Sequence, residues 1–473
     1  MSWEYDKSIK RIRHHLDTMG KIEIRPFSRT DNLEELLRET VCREIYGTHV
    51  YVAVPNFARL ASLGSGAQRE YQRLIQAVHL YQRAVTQLVE LFGGECIHFQ
   101  GSKLHALFYQ PRRQRAFNRG TQKRRQLSAQ AVLFELALKE FVQTMFNPAF
   151  PGFGDFTIAA GTDQGIAIGT RDGIRGDQEL LFLGSPANHA AKIIGPANSL
   201  RLTENVYAAL PGDLRKRCSS VGQNLYQLEL VAGNALDKLL KDHSLSWKRD
   251  VFIRRLEDAK RQCPFAKIVY GDADAPIDLD RLSIFDNKRV VGASLFADVS
   301  GFTGYIDAAR TKREKLTALK VFHAIRKEMA RVIKDDYQGL RIQYQGDRVQ
   351  GLFHLPKDKE AAIAAKAVNT AIGLQRSMQQ TLPACLPEIA ELQLKVGIDL
   401  GTTLVSRLGT RGERDRICLG EAVERAALCE EKSMGGQIRI TRRVLDVLPE
   451  DLRKHFSCKQ QAQYYITSSV FRK

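Results

Sequence analysis

A long internal repeat limits the possible folds of this chain more than any other feature, because both halves must then share one architecture. Four blocks recur in the same order, at residues 50–60 and 294–306, 99–111 and 344–356, 159–169 and 395–405, and 182–192 and 418–428. Their spacing is kept: Phe57 precedes Gly101 by 44 residues, as Phe302 precedes Gly346. Only the connector between the second and third blocks is longer in the first copy, by nine residues. We therefore place the copies at about 48–235 and 290–470.

Each copy predicts the same order of strands and helices. A short apolar strand leads into a long amphipathic helix, whose apolar face in the second copy carries Leu316, Leu319, Phe322, Ile325, Met329 and Val332. A hairpin follows, with period-two alternation around Gly346-Asp347, and then a second helix at about 126–145 or 359–381 and further strands. This order favours an α+β fold with helices against a sheet in each copy.

The predicted organisation has four parts. They are an N-terminal helical extension at 1–47, a first domain at 48–235, a helical connector at 236–289 and a second domain at 290–473. The extension and the connector are charged and helical in pattern, and the sequence suggests no role for either.

Composition excludes a membrane-spanning chain of the usual kind. Hydrophobic residues make up 44% and charged residues 26%, and no apolar run approaches the ~18 residues of a membrane span. The first residues lack the apolar core of a signal peptide, so we expect a cytoplasmic protein. The eight cysteines are scattered without metal-ligand spacing, so a structural zinc site is not expected.

The net charge of +18 favours anionic partners such as nucleotides or nucleic acid. The basic stretch at 112–126 is either a solvated loop or, with Phe117 among its arginines, a contact for nucleic acid. We favour the loop and do not expect nucleic acid as the partner. A basic nucleic-acid-binding protein remains an alternative.

Two acidic residues of the second copy are placed to bind metal. Asp298 ends an apolar strand, and Asp347 lies at the tip of the hairpin that follows. If the strand and the hairpin are neighbours in the sheet, both carboxylates project from one edge and can hold two divalent cations. The alternative is that both are turn residues that cap strand ends.

The segments FADVSGFT and QGDRVQGLF resemble the two metal-binding motifs of the class III nucleotidyl cyclases, the adenylate and guanylate cyclase family. GIDLG and LGEAVERAA resemble later elements of the same domain. The resemblance implies two ferredoxin-like domains that pair head to tail, with the active site at their interface. It also implies two Mg²⁺ or Mn²⁺ ions, with Asp298, Val299 and Asp347 as metal ligands.

The two copies are complementary when this family pattern is applied to them. The second copy has the metal pair but has Glu424 and Leu428 where the family has Asn and Arg. The first copy lacks the acids but has Asn188, and Lys192 in the Arg position. The resemblance implies that Asn188 orients the ribose and that Lys192 stabilises charge on the α-phosphate. It implies that Arg411 contacts phosphate, and a solvated hairpin arginine is the alternative.

The base specificity is expected to be unusual. The purine-reading positions of the family hold His98 and Leu181, and His98 and Phe99 are our candidates for the base pocket. The absence of purine determinants resembles the Pycsar antiphage cyclases, which form cyclic CMP or cyclic UMP. This resemblance implies a cyclase that converts CTP, or UTP, to a messenger for a separate effector. An adenylate cyclase and a catalytically dead nucleotide-binding regulator remain alternatives, and association between chains stays open.

Overall fold

The computed structural model describes residues 2–27, 33, 37, 40–63, 68–109, 120–151, 154–172, 179–409, 415–458 and 464–467. The strands are β1 (Glu23–Pro26), β2 (Val41–Ala53), β3 (Glu95–Gln100), β4 (Lys103–Tyr109), β5 (Ala159–Asp172), β6 (Glu179–Leu183), β7 (Leu200–Thr203), β8 (Cys218–Gly222), β9 (Leu225–Leu228), β10 (Val269–Gly271), β11 (Asp286–Ser300), β12 (Leu340–Gln345), β13 (Arg348–Phe353), β14 (Gln393–Leu408), β15 (Asp415–Leu419), β16 (Ile438–Thr441), β17 (Phe456–Cys458) and β18 (Tyr464–Thr467).

The main helices are α1 (Tyr5–Thr18), α2 (Phe57–Leu63), α3 (Gln68–Leu91), α4 (Gly120–Phe141), α5 (Ser185–Lys192), α6 (Glu204–Ala209), α7 (Gly233–Asp242), α8 (Arg249–Gln262), α9 (Phe302–Ala308), α10 (Lys312–Arg331), α11 (Glu360–Arg376), α12 (Glu421–Glu431) and α13 (Arg442–Val447). Single turns of α-helix lie at Asn147–Ala149, Gly212–Arg215, Leu382–Cys385 and Glu450–Arg453, 3₁₀ turns at Phe265–Lys267 and Pro387–Ile389, and π-helical turns at Val142–Phe146, Val332–Asp336 and Ser377–Thr381. None of the helices in the described part of the chain is both long enough and apolar enough to cross a bilayer.

The two sheets have the same topology. The first has the order β3-β4-β2-β5-β7-β9-β8, with β1 beside β2 and β6 beside β5. The second has the order β12-β13-β11-β14-β16-β18-β17, with β10 and β15 in the matching places. The predicted α+β class and the tandem repeat are therefore confirmed.

The compact units differ from the predicted domain boundaries. One unit, here called the first-repeat unit, comprises residues 23–268 and 408–415. The other, the second-repeat unit, comprises residues 1–22, 269–407 and 416–473. The helix α1 thus precedes the first repeat in the chain but belongs to the second-repeat unit, and α8 precedes the second repeat but belongs to the first-repeat unit.

These two helices are themselves a further pair in the repeat. Trp3 and Trp247, the two tryptophans of the chain, lie 244 residues apart and are both buried. The same spacing separates the buried residues Ile12 and Leu256. In the second-repeat unit α1 packs on α10, and in the first-repeat unit α8 packs on α3, the helix at the matching position. Each repeat therefore begins with a helical arm that packs on the unit of the other repeat.

The contact of α1 with its unit is polar as well as apolar. The indole N–H of Trp3 donates to Ser377 Oγ at 2.7 Å. Arg11 donates to both carboxylate oxygens of Glu328 at 2.6 Å and lies 2.8 Å from Asp336. Glu328 and Asp336 are each only 1% exposed, so Arg11 and its neighbour Lys7 supply the positive charge that these buried acids need.

We expect Arg11→Ala to destabilise the second-repeat unit by about 3 kcal/mol, because removal of one partner leaves two buried carboxylates short of a counter-charge. The exposed pair of Arg254 with Asp250 provides the control, and Arg254→Ala should cost below about 0.5 kcal/mol. Chemical denaturation monitored by circular dichroism measures both. Equal and small effects would show that α1 contributes little to the unit.

The first-repeat unit contains a buried acid without an equivalent in the second. Glu135 of α4 is fully buried and accepts a hydrogen bond from the Thr162 hydroxyl of β5. Burial raises the pKa of Glu135 to about 8, and the bond from Thr162 offsets only part of this effect. In the unfolded chain the same carboxyl titrates near 4.3.

The stability of this unit should therefore fall as the pH rises from about 5 to 8. In that range the unfolded state binds fewer protons than the folded state, which makes the slope of stability against pH negative. We expect Glu135→Gln to flatten this part of the profile, whereas the exposed Glu90→Gln should leave it unchanged. Thermal melts at half-unit pH steps measure the slope, and an unaltered slope in Glu135→Gln would contradict the assignment.

Candidate active site

Strand register brings Asp298 beside the hairpin turn that carries Asp347. Ala297 of β11 pairs with Val349 of β13 and with Val396 of β14. The next residue, Asp298, pairs with Lys395, while β13 has reached its first residue, Arg348. Both acids therefore lie at one edge of the second sheet, as the sequence predicted.

The turn itself has the geometry that a two-residue hairpin favours. Gln345 pairs with Arg348, which leaves Gly346 and Asp347 as the loop. Gly346 has φ +71°, a left-handed conformation that glycine adopts without strain and that suits the first loop position of a type II′ turn. The first repeat keeps the glycine as Gly101, φ +64°, but has Ser102 in place of the acid.

The surroundings of the two acids carry an excess of negative charge. Burial raises the pKa of Asp347 well above its usual range, and the charge of Asp298 raises it further. Glu430 of α12 is 2% exposed and forms ion pairs with Arg348 and Lys395, each at 2.8 Å. Lys395 also lies 3.1 Å from Asp298, and these carboxylates raise the pKa of its ammonium group although burial opposes them.

This arrangement fits a divalent cation. Three carboxylates face two cationic side chains, Lys395 and Arg348, so a bound cation would offset the remaining repulsion that raises the pKa of Asp347. Val299 is a buried strand residue, and only its backbone carbonyl can serve as a ligand. The described residues form no cluster of three or more metal-ligating side chains, so the other ligands would be backbone, substrate and water oxygens.

In the first-repeat unit, α5 carries the predicted sugar and phosphate residues. Asn188 is half-buried near its middle, and Lys192 is exposed at its last position. The helix lies close to β5 because Gly161 has no side chain: a Cβ there would stand 2.2 Å from the Ala190 carbonyl oxygen. His189 binds Asp163 at 3.2 Å, which fixes the rotation of the helix.

The matching helix of the second-repeat unit, α12, is built in the same way. A Cβ at Gly397 would stand 2.2 Å from the Glu430 amide nitrogen. Arg425 donates to the buried Asp399 at 2.6 Å, as His189 binds Asp163 in the other unit. Leu428 is 36% exposed and cannot donate a hydrogen bond, so this helix lacks the polar pair of α5.

The residues proposed for the base do not share one surface. His98 and Phe99 are neighbours in β3, so their side chains point to opposite faces of the first sheet. The ring of Phe99 is buried against Tyr81 of α3, and only its backbone N–H reaches a polar group, Asp415 at 2.9 Å. Leu181 is buried in β6, and Arg411 lies outside the described residues.

His98 belongs to a cluster that sequence reasoning did not identify. Its ring lies 5.3 Å from that of His105, which hydrogen-bonds His49 at 3.0 Å. Tyr51 stacks on His105 at 4.3 Å, and Phe182 contacts both buried histidines. Burial lowers the pKa of His49 to about 3, so the pair is neutral. The alternation of His49 with Tyr51 along β2 is the pattern that predicts a shared face.

Comparison with known proteins identifies a matching family model and several relatives of this chain. Residues 289–470 match the family model described as the adenylate and guanylate cyclase catalytic domain. A uridylate cyclase of Pseudomonas aeruginosa is 26% identical over 436 residues, which cover 89% of this chain and 81% of the relative. A uridylate cyclase of Burkholderia cepacia is 30% identical over 187 residues, 38% of this chain and 75% of the relative.

A solved structure resembles the whole chain. The class III adenylyl cyclase-like ATP-binding protein of Pseudomonas aeruginosa superposes with a TM-score of 0.82 at 23% identity and covers 99% of this chain and 98% of its own. At this level of identity the likeness concerns the fold.

Without bound metal we expect Asp347→Asn to stabilise the second-repeat unit, because it removes a buried charge that Asp298 repels. The expected gain is about 1 kcal/mol, or roughly 2–4 °C in Tm, at pH 7 in EDTA. Ser102→Asn at the matching turn of the first repeat serves as the control and should bring no gain. The same Asp347→Asn protein should lose the stabilisation that millimolar Mn²⁺ gives the wild type. A lower Tm in EDTA would contradict the electrostatic account.

Proposed function

Because the chain belongs to the class III nucleotidyl cyclases, we propose that it converts a pyrimidine nucleoside triphosphate, UTP or CTP, to the 3′,5′-cyclic monophosphate and pyrophosphate. The observation that carries this proposal is the half-buried carboxylate pair of Asp298 and Asp347 at one sheet edge. Such a pair is suited to hold the divalent cations on which this family depends.

In the proposed reaction the 3′-oxygen of the ribose attacks the α-phosphorus, and the bond from that phosphorus to the bridging oxygen of pyrophosphate breaks. Asp298, Asp347 and the Val299 carbonyl would hold the divalent cations, here proposed as two Mg²⁺ or Mn²⁺ ions. Bound there, such ions lower the pKa of the 3′-hydroxyl and offset the charge of the phosphates.

The first repeat is proposed to supply the other half of the machinery. Asn188 would orient the ribose through its side-chain amide, and Lys192 would stabilise the charge that grows on the α-phosphate. Lysine offers a point charge instead of the two-pronged contact of arginine, so the phosphate is held with less geometric constraint. In this proposal one chain supplies all the residues of a single working site.

The choice of base is proposed from the first repeat. His98 stands where the adenylate cyclases of the family carry a lysine, and its ring lies beside a cluster that includes His105, Tyr51 and Phe182. These neutral, aromatic side chains stand where an adenylate cyclase has a charged base reader. The sequence resemblance placed CTP first, whereas the names of the relatives favour UTP. We further propose that the cyclic product acts on a separate effector in antiphage defence.

The proposal is tested by incubating the purified chain with Mn²⁺ and each of the four labelled nucleoside triphosphates. Cyclic UMP or cyclic CMP should be the main product. A main product of cyclic AMP would show an adenylate cyclase instead. NTP binding without any cyclic product, unchanged in Asp347→Ala, would show a catalytically dead regulator.

Substitutions should divide the site into its two parts. Asp298→Ala should lower the turnover by at least about 10³-fold through loss of metal, and Asn188→Ala by about 10²-fold through loss of a positioned donor. Asp335→Ala, an exposed acid in a surface ion pair, should leave turnover unchanged. A mixture of the Asp298→Ala and Asn188→Ala proteins should stay inactive if each chain completes its own site. Recovery of activity on mixing would contradict the single-chain site.

A further inference from the structure

Arg326 of α10 is the largest fully buried side chain of the described residues. A guanidinium group keeps its charge at any ordinary pH, and its burial is costly unless nearby groups compensate for the lost water. The structure provides aromatic rings for this purpose. The guanidinium carbon lies 3.7 Å from the ring centroid of Tyr344 and 5.1 Å from that of Phe322, distances at which cation–π attraction is strong.

The same guanidinium reaches the turn that carries the acid. Arg326 Nη1 donates to the backbone carbonyl oxygen of Gly346 at 2.6 Å. This carbonyl immediately precedes Asp347, in a turn whose strand pairing has ended at Gln345 and Arg348. A Cβ at Gly346 would meet no atom within 4 Å, so nothing packs against that side of the glycine. The bond from Arg326 ties the backbone of the turn to α10.

The aromatic rings link both metal-bearing segments to this arginine. Phe322 stacks on Phe302 at 5.5 Å, and Phe302 begins the helix that follows Asp298 in the chain. The hydroxyl of Tyr344 donates to the backbone carbonyl oxygen of Arg326. Arg326 is thus packed between the segment after Asp298 and the strand before Asp347.

In the first repeat, neutral side chains take the corresponding positions beside the hairpin turn. Tyr81 stands 245 residues before Arg326, and the neighbouring Gln82 donates to the Gly101 carbonyl oxygen at 3.0 Å. That turn carries Ser102 and no acid. The carbonyl oxygen of the acidic turn therefore accepts from a cation, and that of the turn without the acid accepts from an amide one position further along the helix.

We propose that Arg326 is a positioning residue that fixes the Gly346-Asp347 turn, and so the Asp347 carboxylate, for binding of a divalent cation. This inference rests on the proposed function of the carboxylate pair. Arg326 does not touch the cation or the nucleotide in this proposal; it acts through the backbone of the turn.

Arg326→Met tests the proposal, because an apolar side chain of similar length keeps contact with the rings and removes a charge whose burial is costly. Binding of Mn²⁺ to the nucleotide-free protein is measured by the loss of the free-Mn²⁺ EPR signal. We expect at least a tenfold weaker affinity for Mn²⁺ in Arg326→Met, with a Tm within a few degrees of the wild type. Gln82→Met, the matched change at the turn without an acid, should leave Mn²⁺ affinity unchanged.

Cyclisation assays separate the effect on metal binding from the effect on chemistry. The Mn²⁺ concentration for half-maximal activity should rise in Arg326→Met by the same factor as the dissociation constant, while kcat at saturating Mn²⁺ falls less than threefold. Should Arg326→Met not fold, Tyr344→Leu removes the ring that holds the guanidinium, and the same loss of affinity is expected. Unchanged Mn²⁺ affinity in whichever variant folds overturns the proposal. A wild type that binds Mn²⁺ but forms no cyclic product overturns the proposed function instead.

Discussion

The repulsion between two half-buried carboxylates is the constraint around which the second-repeat unit is arranged. Asp298 and Asp347 meet because Asp298 is the first residue of β11 past its pairing with β13, and burial makes their joint ionisation costly. The unit tolerates this cost through Lys395 and Arg348, which bind the buried Glu430 between them. In the proposed function, a site held in this way keeps its acids in place before a cation binds, and binding of the cation relieves the repulsion between them.

The first repeat shows which residues form this site as a set. Where the second repeat has Asp298 and Asp347, the first has Ala53 and Ser102, and the residues that match Lys395 and Glu430 are Ala159 and Ile194. The backbone topology is unchanged between the two sheets. Without the two acids there is no repulsion between them, and ion pairs such as those of Lys395 are then not needed to offset it. The asymmetry therefore concerns several charged residues together and not the two acids alone, while the shared fold stays intact.

The periodicity of the sequence predicted the strands and turns that neighbouring residues form. It did not predict the side-chain contacts between different elements. The β12–β13 hairpin and its glycine turn follow from alternation around Gly346, and the position of Asp347 follows with them. The bond from Arg326 and the ion pairs of Glu430 join different elements through side chains, so no local pattern reveals them. The separation of His98 from Phe99 was readable from period-two alternation, whereas the burial of His49 depends on packing from β4 and β6.

The helical arms were predicted as helices, but the unit to which each belongs was missed for a different reason, and this membership bears on how the chain folds. The arms have few apolar residues among many charged ones, so their similarity is hard to see in the sequence. The 244-residue spacing of Trp3 and Trp247 is the clearest sign that the two arms correspond. Because α1 counts with the second-repeat unit and α8 with the first, neither repeat taken as a continuous segment contains its whole unit. If the chain were cut between the repeats, the C-terminal fragment would contain Glu328 without Arg11. The N-terminal fragment would contain α1 without the helix α10 on which it packs. Completion of each unit therefore requires the whole chain, which couples the folding of the repeat that carries the acids to that of the repeat that lacks them.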